Sequence, residues 1–404
     1  MPRRLVFVLL PFAAAAATIG TLAFTTKSTQ PRAAVVVAPL TVTSKPTDWR
    51  APGVAVTVGG FAGPGARVLL RADGRVVAST RAGKLGRYTV HFAPRTAGRL
   101  KLAVQSAGKF VAAGTLDVRT VSLDAVGDVT FGESVGPALA AHGGAYPWAF
   151  VGPTLRAADI TVGNLETAVT TRGSAAVKEF TFRGPPAALV PMHDVAGFDV
   201  LTLANNHTVD FGRDALLDTL KAVHAAGIQT IGAGATDLQA RRPAIVEAGG
   251  LRVAFLGYSD VNPYGFNATS SSPGTAKADV AAITTDVDSA LRRADVAVCF
   301  FHWGTELHPA PDSRQQQFAA ACLNAGAKVV IGAHPHVLGG VATPSTHALV
   351  AWTLGNFVFP SGSVTARTAI LHVALGADGV RGYRLVPVRI DGFRPRLARA
   401  AQQG

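Results

Sequence analysis

The sequence predicts an α/β domain that follows a smaller all-β domain. Between residues 41 and 118, short alternating strands are separated by glycine-rich turns, without helical periodicity. After residue 120, near-continuous apolar strands alternate with helical stretches such as residues 214–227 and 314–326, which favours a mostly parallel sheet covered on both faces. A chain of 404 residues is long enough for two domains and a targeting segment.

Residues 1–30 are predicted to be a signal peptide or an N-terminal membrane anchor. Arg3 and Arg4 precede an apolar run that extends to residue 24 and is interrupted by Pro11. The length of this run suits both a signal segment and a membrane span. Membrane anchoring by residues 5–24 and secretion after cleavage therefore both stay open. In either case the arginines remain inside, so we expect the rest of the chain to be exported and extracytoplasmic.

Residues 31–118 are predicted to form a linker and an immunoglobulin-like β-sandwich. About seven strands in about eighty residues suit that fold, and Asp73-Gly74 between apolar runs is a hairpin signal. Residues 41–120 carry 13 Lys and Arg against 3 Asp, so this region accounts for +10 of the formal net charge of +13. Such a basic module suits an anionic partner, although a solvated basic face explains the charge equally well.

In residues 119–404, strand after strand ends in polar side chains. Ligand-binding groups gather at the carboxyl ends of strands in open α/β sheets. Imidazole and carboxylate together suit Mn, Fe or Zn. The sequence therefore predicts convergence on a divalent cation, from residues at six strand ends: Asp128; Asn164 and Glu166; Asn205, Asn206, His207 and Asp210; His302, Trp303 and Glu306; His334 and His336; and Asn356.

Other segments are given structural roles. Residues 368–390 alternate about Asp378-Gly379, which predicts an antiparallel addition to the sheet. The loop 261–277 lacks periodicity and is a candidate lid. Two cysteines lie in apolar contexts and are expected to be buried and unpaired, and five histidines have no evident partners: Cys299 and Cys322; His91, His142, His224, His347 and His372.

The ordered motifs GDVTFG, GNLET, ANNHTVDFG, HWGTE, GAHPHV and LGNFVF, within residues 121–392, closely resemble those of the CapA family of bacterial capsule and poly-γ-glutamate biosynthesis proteins. That family is similar in fold to the calcineurin-like metallophosphoesterases. The resemblance implies a calcineurin-like metallophosphatase fold, with layered α and β elements, for residues 119–404. It also implies an acidic polymer as the molecule acted on.

The resemblance further implies roles for single residues. It implies that one or two divalent ions (Mn, Fe or Zn) are held by Asp128, Asn164, Glu166, Asn206, His302, His334 and His336. His207 takes the position of the histidine that protonates a leaving oxygen, and Asp210 either orients it or caps the helix that begins near Arg213. Candidate substrate-binding residues are Trp303, Glu306, Asn205 and Asn356, with packing as the alternative for Trp303.

Two positions depart from the phosphoesterase pattern. Thr130 stands where that pattern has a histidine, and Asn164 stands where it has a bridging carboxylate. Fewer anionic ligands would weaken a second metal site.

Three functions fit these observations. The first is an exported, metal-dependent hydrolase or transferase that acts on an anionic extracellular polymer of the capsule or poly-γ-glutamate type. The second is a non-catalytic factor for polymer export or assembly on the same fold. The third, a secreted metallophosphoesterase, rests on fold analogy alone. Expected partners are the polymer and membrane-bound proteins of its synthesis or export, and no nucleic acid is expected.

Overall fold

The structure is a computed structural model that describes residues 39–398. The predicted signal peptide or anchor, residues 1–30, lies outside the described residues. The first seven strands are β1 Thr41–Ser44, β2 Val56–Phe61, β3 Arg67–Ala72, β4 Arg75–Arg81, β5 Arg87–Phe92, β6 Gly98–Ser106 and β7 Lys109–Val118.

These seven strands form two antiparallel sheets with the orders β1-β2-β5 and β4-β3-β6-β7. They share a hydrophobic cluster that includes Val58, Leu70, Tyr88 and Val104. The turn between β3 and β4 is the predicted Asp73-Gly74, and both residues have positive φ, +47° and +79°. Two positive φ values are what a two-residue hairpin turn requires. The immunoglobulin-like assignment and the domain boundaries stay predictions.

The later strands are β8 Val121–Val129, β9 Ile160–Leu165, β10 Ala168–Val169, β11 Arg183–Gly184, β12 Val200–Thr202, β13 Gln229–Ile231, β14 Ala233–Gly234, β15 Ala244–Ala248, β16 Leu251–Ser259, β17 Gly274–Thr275, β18 Val296–His302, β19 Val329–Ala333, β20 Val341–Ser345, β21 Ala348–Ala351, β22 Asn356–Val358, β23 Arg367–Gly376, β24 Gly379–Asp391 and β25 Arg394–Leu397. The helices are α1 Val135–His142, α2 Gly152–Arg156, α3 Leu189–Asp194, α4 Arg213–Ala225, α5 Asp237–Ala240, α6 Val280–Leu291 and α7 Ser313–Asn324.

Two mixed sheets form the centre of this region. The first sheet has the order β13-β12-β9-β8-β23-β24-β25, with β22 paired to β8, and the second has the order β15-β16-β18-β19-β21-β20. Apolar side chains of both sheets form one buried cluster, including Leu123 and Val162 of the first sheet and Phe255 and Phe300 of the second. The expectation of a single, mostly parallel sheet is therefore wrong, because two mixed sheets are present and each is covered on both faces. A fully apolar strand has the same pattern whether its second face meets helices or another sheet.

Helices cover the outer face of each sheet. Leu139 of α1 and Leu216 and Val223 of α4 pack into a cluster with residues of the first sheet. Ile283 of α6 and Phe318 of α7 pack against the second sheet. The order of layers is thus helix, sheet, sheet, helix. The two cysteines are buried and free, as predicted.

The seven-strand region is tied to the two-sheet region by the loop between β1 and β2 and by the link between β7 and β8. Ala51 N–H donates to Gly249 O (2.9 Å). The Arg119 guanidinium lies 3.6 Å from the ring centroid of Trp49 and donates two hydrogen bonds to Asp159, of 2.7 and 2.8 Å. Asp159 also accepts from the backbone and the hydroxyl of Ser122, at 2.9 and 2.8 Å.

The C-terminal strands, the loop 261–277 and His372 each bear on a local prediction. Strands β23 and β24 pair antiparallel about the predicted turn. The loop 261–277 is fixed by hydrogen bonds from Arg213 to the carbonyls of Gly265 and Pro273. His372 has a partner that the sequence did not reveal, because its Nδ1 lies 2.6 Å from Asp124 Oδ1 on the neighbouring strand. None of the helices in residues 39–398 has both the length and the apolar character needed to cross a membrane.

Candidate metal centre

The predicted site residues converge at the carboxyl ends of strands from both sheets. Asp128 lies beside Asn164 across the β8–β9 pair, while His302 ends β18 and His334 directly follows β19. His334 and His336 both have positive φ, +94° and +57°. This backbone conformation is rare for residues with a Cβ and is typical of constrained functional loops.

Carboxylates and imidazoles form one compact, largely buried cluster. His302 Nε2 lies 3.5 Å from Glu166 Oε1, and His336 Nδ1 lies 3.4 Å from Asp128 Oδ2. Three overlapping groups have ligand atoms within 4.8 Å of one another: Glu166, His302 and His334; Asp128, Glu166 and His336; and Glu306, His334 and His336. Glu306 is the exposed member, at the mouth of the cluster.

Unpaired polar atoms in this cluster are the best test of whether it fits a cation. Both carboxylate oxygens of Glu166 and Nδ1 of His334 are buried without a hydrogen-bond partner among residues 39–398. A buried unpaired carboxylate is costly unless a cation or a proton compensates it. Their ligand types, carboxylate oxygen and imidazole nitrogen, are those that bind divalent transition metals. The residues present therefore fit a divalent metal.

The ionisation of the cluster agrees with this fit. Burial, and then the negative charge of Asp128, raise the pKa of Glu166 to about 8. Burial lowers the pKa of His302 to about 3. The pKa of His334 is likewise well below its usual range, through burial and the neighbouring imidazoles. Both rings are thus neutral at neutral pH, the form in which imidazole binds metals.

His336 and Asp128 behave as an ion pair. Burial alone would lower the pKa of His336, but Glu166, Asp128 and the hydrogen bond with Asn356 raise it to about 10. Burial would conversely raise the pKa of Asp128, but its hydrogen bond with His336, the nearby imidazole charges and Asn164 hold it below its ordinary value. The negative Asp128 and the positive His336 thus both lie next to the unpaired carboxyl group of Glu166.

A second polar group adjoins the cluster on the side of His207. His207 Nδ1 donates to Asp210 Oδ2 (2.7 Å), and Lys178 Nζ donates to Asp210 Oδ1 (2.7 Å). The His207 ring is stacked on Phe182 with 4.0 Å between ring centroids, and its Nε2 lies 3.8 Å from Glu166 Oε1. The ring is therefore fixed, with Nε2 directed towards the cluster.

The structure decides between the two predicted roles of Asp210. Helix α4 has Gly212 as its N-cap and no side-chain cap hydrogen bond. Asp210 instead accepts from His207, Lys178 and the backbone N–H of Phe182. Asp210 orients His207 and does not cap the helix.

Three residues predicted to bind substrate have other contacts. Trp303 is fully buried, and its Nε1 donates to Trp352 O (3.0 Å). It packs in the second sheet's core and lines no cleft. Asn205 is also fully buried. Its Nδ2 donates to Asn164 Oδ1, and its Oδ1 accepts from the backbone N–H of His207. Asn356 Oδ1 lies 2.8 Å from His336 Nδ1, so Asn356 orients that ring.

The two predicted asparagine ligands differ in their surroundings. Asn164 Nδ2 donates to Asp128 Oδ1 (2.7 Å), and Asn164 Oδ1 accepts from Asn205 (2.9 Å). These contacts make Asn164 a positioning residue for Asp128. Asn206 Oδ1, in contrast, lies 2.8 Å from His302 Nε2 at the half-buried side of the cluster. Thr130 turns away from the site and contacts the Thr167 hydroxyl at 2.5 Å.

The contacts of Lys178 and the ligand geometry of Glu306 are not evident from the sequence. Lys178 belongs to the irregular segment between β10 and β11, and no strand end or periodic pattern marks it. Glu306 was assigned to substrate binding, although its carboxylate lies with His334 and His336. Its position four residues after His302, on the same loop, was the available signal.

The comparisons with known proteins agree with the motif order. The family model described as "Bacterial capsule synthesis protein PGA_cap" matches residues 122–361, which include the whole cluster. The chain belongs to the PGA_cap family. This confirms the resemblance to capsule biosynthesis proteins. The seven strands β1–β7 lie outside the matched PGA_cap range.

Two curated relatives of this PGA_cap chain come from Bacillus. The PGA biosynthesis protein CapA of Bacillus subtilis (strain 168) is 32% identical over 305 residues, 73% of this chain and 79% of that protein. The capsule biosynthesis protein CapA of Bacillus anthracis is 30% identical over 290 residues, 70% of each. Among solved structures, a phosphatase from Mycoplasma pneumoniae aligns with a TM-score of 0.43 and 13% identity over 67% of this chain and 94% of that one.

Proposed function

We propose that this PGA_cap protein is an exported, metal-dependent hydrolase or transferase that acts on an anionic polymer of the capsule or poly-γ-glutamate type. The observation that carries the proposal is the buried, unpaired Glu166 carboxylate among three imidazoles, next to the oriented His207. The helix, sheet, sheet, helix layering suits the calcineurin-like metallophosphatase fold that the motif resemblance implied.

The metal ligands in this proposal are Asp128, Glu166, His302, His334 and His336, with Glu306 and Asn206 at the open side. Glu166 and His336 hold their protons near pH 7 without metal and would release them on metal binding. Mn, Fe and Zn suit this donor set, and the overlapping ligand groups suit one or two ions. A divalent cation bound there supplies Lewis-acid polarisation of an amide or ester carbonyl.

His207 has the proton-transfer role. Because its Nδ1 donates to Asp210, the proton that can be exchanged is the one on Nε2. That atom faces Glu166 and can give a proton to a leaving nitrogen or oxygen, or take one from a nucleophile. Lys178 holds Asp210 from the other side and donates to Asn206 O at 2.6 Å, which fixes the loop that carries His207.

Three further arguments support the class of polymer and the compartment. The curated relatives are named for capsule and PGA biosynthesis, which suggests the same class of substrate for this chain. The arginines and apolar run in residues 1–24 suggest export, with anchoring and cleavage both open. The basic excess of residues 41–120 suits a polyanion.

The test uses the purified full chain loaded separately with Mn²⁺, Fe²⁺ or Zn²⁺. Bound metal is measured by elemental analysis, and poly-γ-glutamate is incubated with the protein and sized by chromatography. We expect bound metal and a change in polymer length, both lost in His302→Ala. The matched control is Glu247→Gln, an exposed position on edge strand β15, which should change neither. A protein that takes up no metal, or a His302→Ala variant with full activity, would overturn the proposal.

A second candidate function is polymer export or assembly without turnover. It is favoured by one observation: Asn164, at the position of a bridging carboxylate, is fully engaged with Asp128 and Asn205. If the protein binds metal and polymer but leaves polymer length unchanged, and if His207→Ala supports normal capsule in cells, this second function replaces the first.

A further inference from the structure

Three arginines stand directly opposite one another on three neighbouring strands of the first sheet. Arg367 of β23 pairs in register with Arg389 of β24, and Arg389 pairs with Arg396 of β25. Residues directly opposite in antiparallel strands have side chains on the same face. Since neighbouring strands lie about 4.8 Å apart, these three positions span about 10 Å. We call Arg367, Arg389 and Arg396 the arginine row.

The positive charge of the arginine row is largely uncompensated. Arg367 and Arg389 are exposed, and no carboxylate lies within 4 Å of either in residues 39–398. The rest of the chain, residues 1–38 and 399–404, contains no Asp or Glu. Arg396 is held by Asp391, 3.2 Å from its Nε, and by stacking on Phe150 at 3.6 Å. Like charges directly opposite destabilise a sheet, so this arrangement costs stability unless an anion binds.

The arginine row begins next to the candidate metal centre. Arg367 lines a cavity of about 320 Å³ whose other walls are apolar: Leu307, Pro309, Val337, Leu338 and Val364. Leu307 and Val337 directly follow Glu306 and His336, two residues of the metal cluster. One wall of the cavity is therefore continuous with the centre.

The other two arginines continue the same path. Arg389 and Arg396 line a second cavity, of about 700 Å³, together with Ser361 and Gly362. The segment 361–366 borders both cavities, because Val364 lines the first and Ser361 the second. A chain leaving the metal centre therefore meets an apolar wall, then Arg367, then Arg389 and Arg396.

We propose that the arginine row binds successive carboxylates of a polycarboxylate chain whose reacting bond lies at the metal centre. This inference rests on the proposed function and names the substrate subsite that it requires. Guanidinium groups bind carboxylates in two-point contacts. The apolar wall beside Arg367 suits the methylene groups that separate those carboxylates. A neutral polymer has no anionic group for these arginines to bind, and a ligand with a single carboxylate would contact only one of them.

The test is a binding measurement, made without turnover on the full-length protein kept metal-free with a chelator. The probe is fluorescently labelled poly-γ-glutamate, titrated at low and at high salt. The variant Arg367→Gln/Arg389→Gln removes two exposed charges. A matched control is Arg292→Gln/Arg293→Gln, because Arg292 and Arg293 are also exposed and lie directly after helix α6, outside the basic residues 41–120. Circular dichroism and thermal unfolding establish that both variants fold.

We expect the Arg367→Gln/Arg389→Gln variant to bind about tenfold or more weakly and with a smaller salt dependence, because two charge-assisted contacts are lost. The Arg292→Gln/Arg293→Gln control should change affinity by less than about twofold. Equal losses in the two variants would mean that net charge alone attracts the polymer and would overturn the proposal. Unchanged polymer binding by the Arg367→Gln/Arg389→Gln variant would also overturn the proposal. So would polyphosphate that binds more tightly than poly-γ-glutamate and loses affinity in the same variant. These binding measurements require neither metal nor catalysis. The proposed reaction is tested by polymer length in the metal-loaded protein, so the two proposals can fail independently.

Discussion

The imidazole of His302 faces the carboxylate of Glu166, with 3.5 Å between Nε2 and Oε1, and both side chains are fully buried. The two residues come from different sheets, β18 of the second and the loop after β9 of the first. Neither can reach bulk water. The contact therefore makes sense as part of a cation site, and the first prediction follows from it.

Glu166→Gln should separate stability from metal binding. Burial and the charge of Asp128 raise the pKa of Glu166 to about 8, so its carboxyl group is largely neutral near pH 7 without metal. The neutral amide of glutamine should therefore leave the stability of the metal-free protein close to that of wild type. The increase in melting temperature that Mn²⁺ or Zn²⁺ gives the wild type should be lost, because an anionic ligand is missing. Thermal unfolding with chelator and with added metal measures both effects. A full metal-induced increase in the variant would contradict the ligand role.

Asp210→Asn should impair turnover while leaving metal content unchanged. Asp210 accepts the Nδ1 proton of His207 and so fixes which ring nitrogen faces the cluster. Loss of that orientation should lower the rate of polymer processing about 10²- to 10⁴-fold, the usual contribution of general acid–base catalysis. Elemental analysis provides the control, since Asp210 is no metal ligand. Reduced metal content in the variant would instead indicate a structural role.

Trp303→Phe should affect stability and leave the site unaffected. The indole Nε1 donates to Trp352 O, and the ring stacks on Phe301 with 4.4 Å between centroids. Phenylalanine keeps much of the packing but leaves a carbonyl unpaired and a small void, at a cost of about 2 kcal/mol. Urea denaturation measures this cost. If the Trp303→Phe variant is fully folded and still binds polymer more weakly, Trp303 does face the substrate.

Asp159→Asn should destabilise the protein at neutral pH and have little effect in acid. Burial alone would raise the pKa of Asp159, but hydrogen bonds from Arg119 and Ser122 hold it below its ordinary value. A depressed pKa stabilises the fold above the unfolded-state pKa, and this contribution disappears as the pH falls through the folded-state pKa. We expect a loss of about 1–3 kcal/mol at pH 7, the range for hydrogen bonds to a charged group. Urea denaturation at pH 7 and at successively lower pH values checks it, and a loss that stays the same at every pH would contradict the ionic explanation.

Much of the site could be predicted because strand ends are visible in the sequence. Asp128, Glu166, His302 and His334 each follow an apolar run, and the carboxyl ends of strands within a sheet meet at one edge. The proximity of Asp128 to Glu166, and of His302 to His334, therefore needed no knowledge of the helices. The meeting of these two pairs depends on how the two sheets pack. Roles within the site were harder to predict, because Asn205 and Asn356 follow strands in the same way yet use their amides to hold other side chains.

The arrangement of the sheets and the position of Lys178 could not be predicted. Whether Phe300 packs against a helix or a second sheet depends on contacts between distant segments, and its apolar neighbours in sequence are the same in both cases. Lys178 reaches Asp210 across 32 positions from an irregular segment. A long side chain on such a segment leaves no periodic signal.

The position of the cluster on the boundary between two sheets has a consequence for how the protein matures. One sheet contributes Asp128 and Glu166, and the other contributes His302 and His334. A folding intermediate with only one sheet formed holds only half of the ligands and would retain a metal ion poorly. Uptake of the ion would then mark the moment at which the two halves have joined, so newly made molecules would become competent only once assembly is complete.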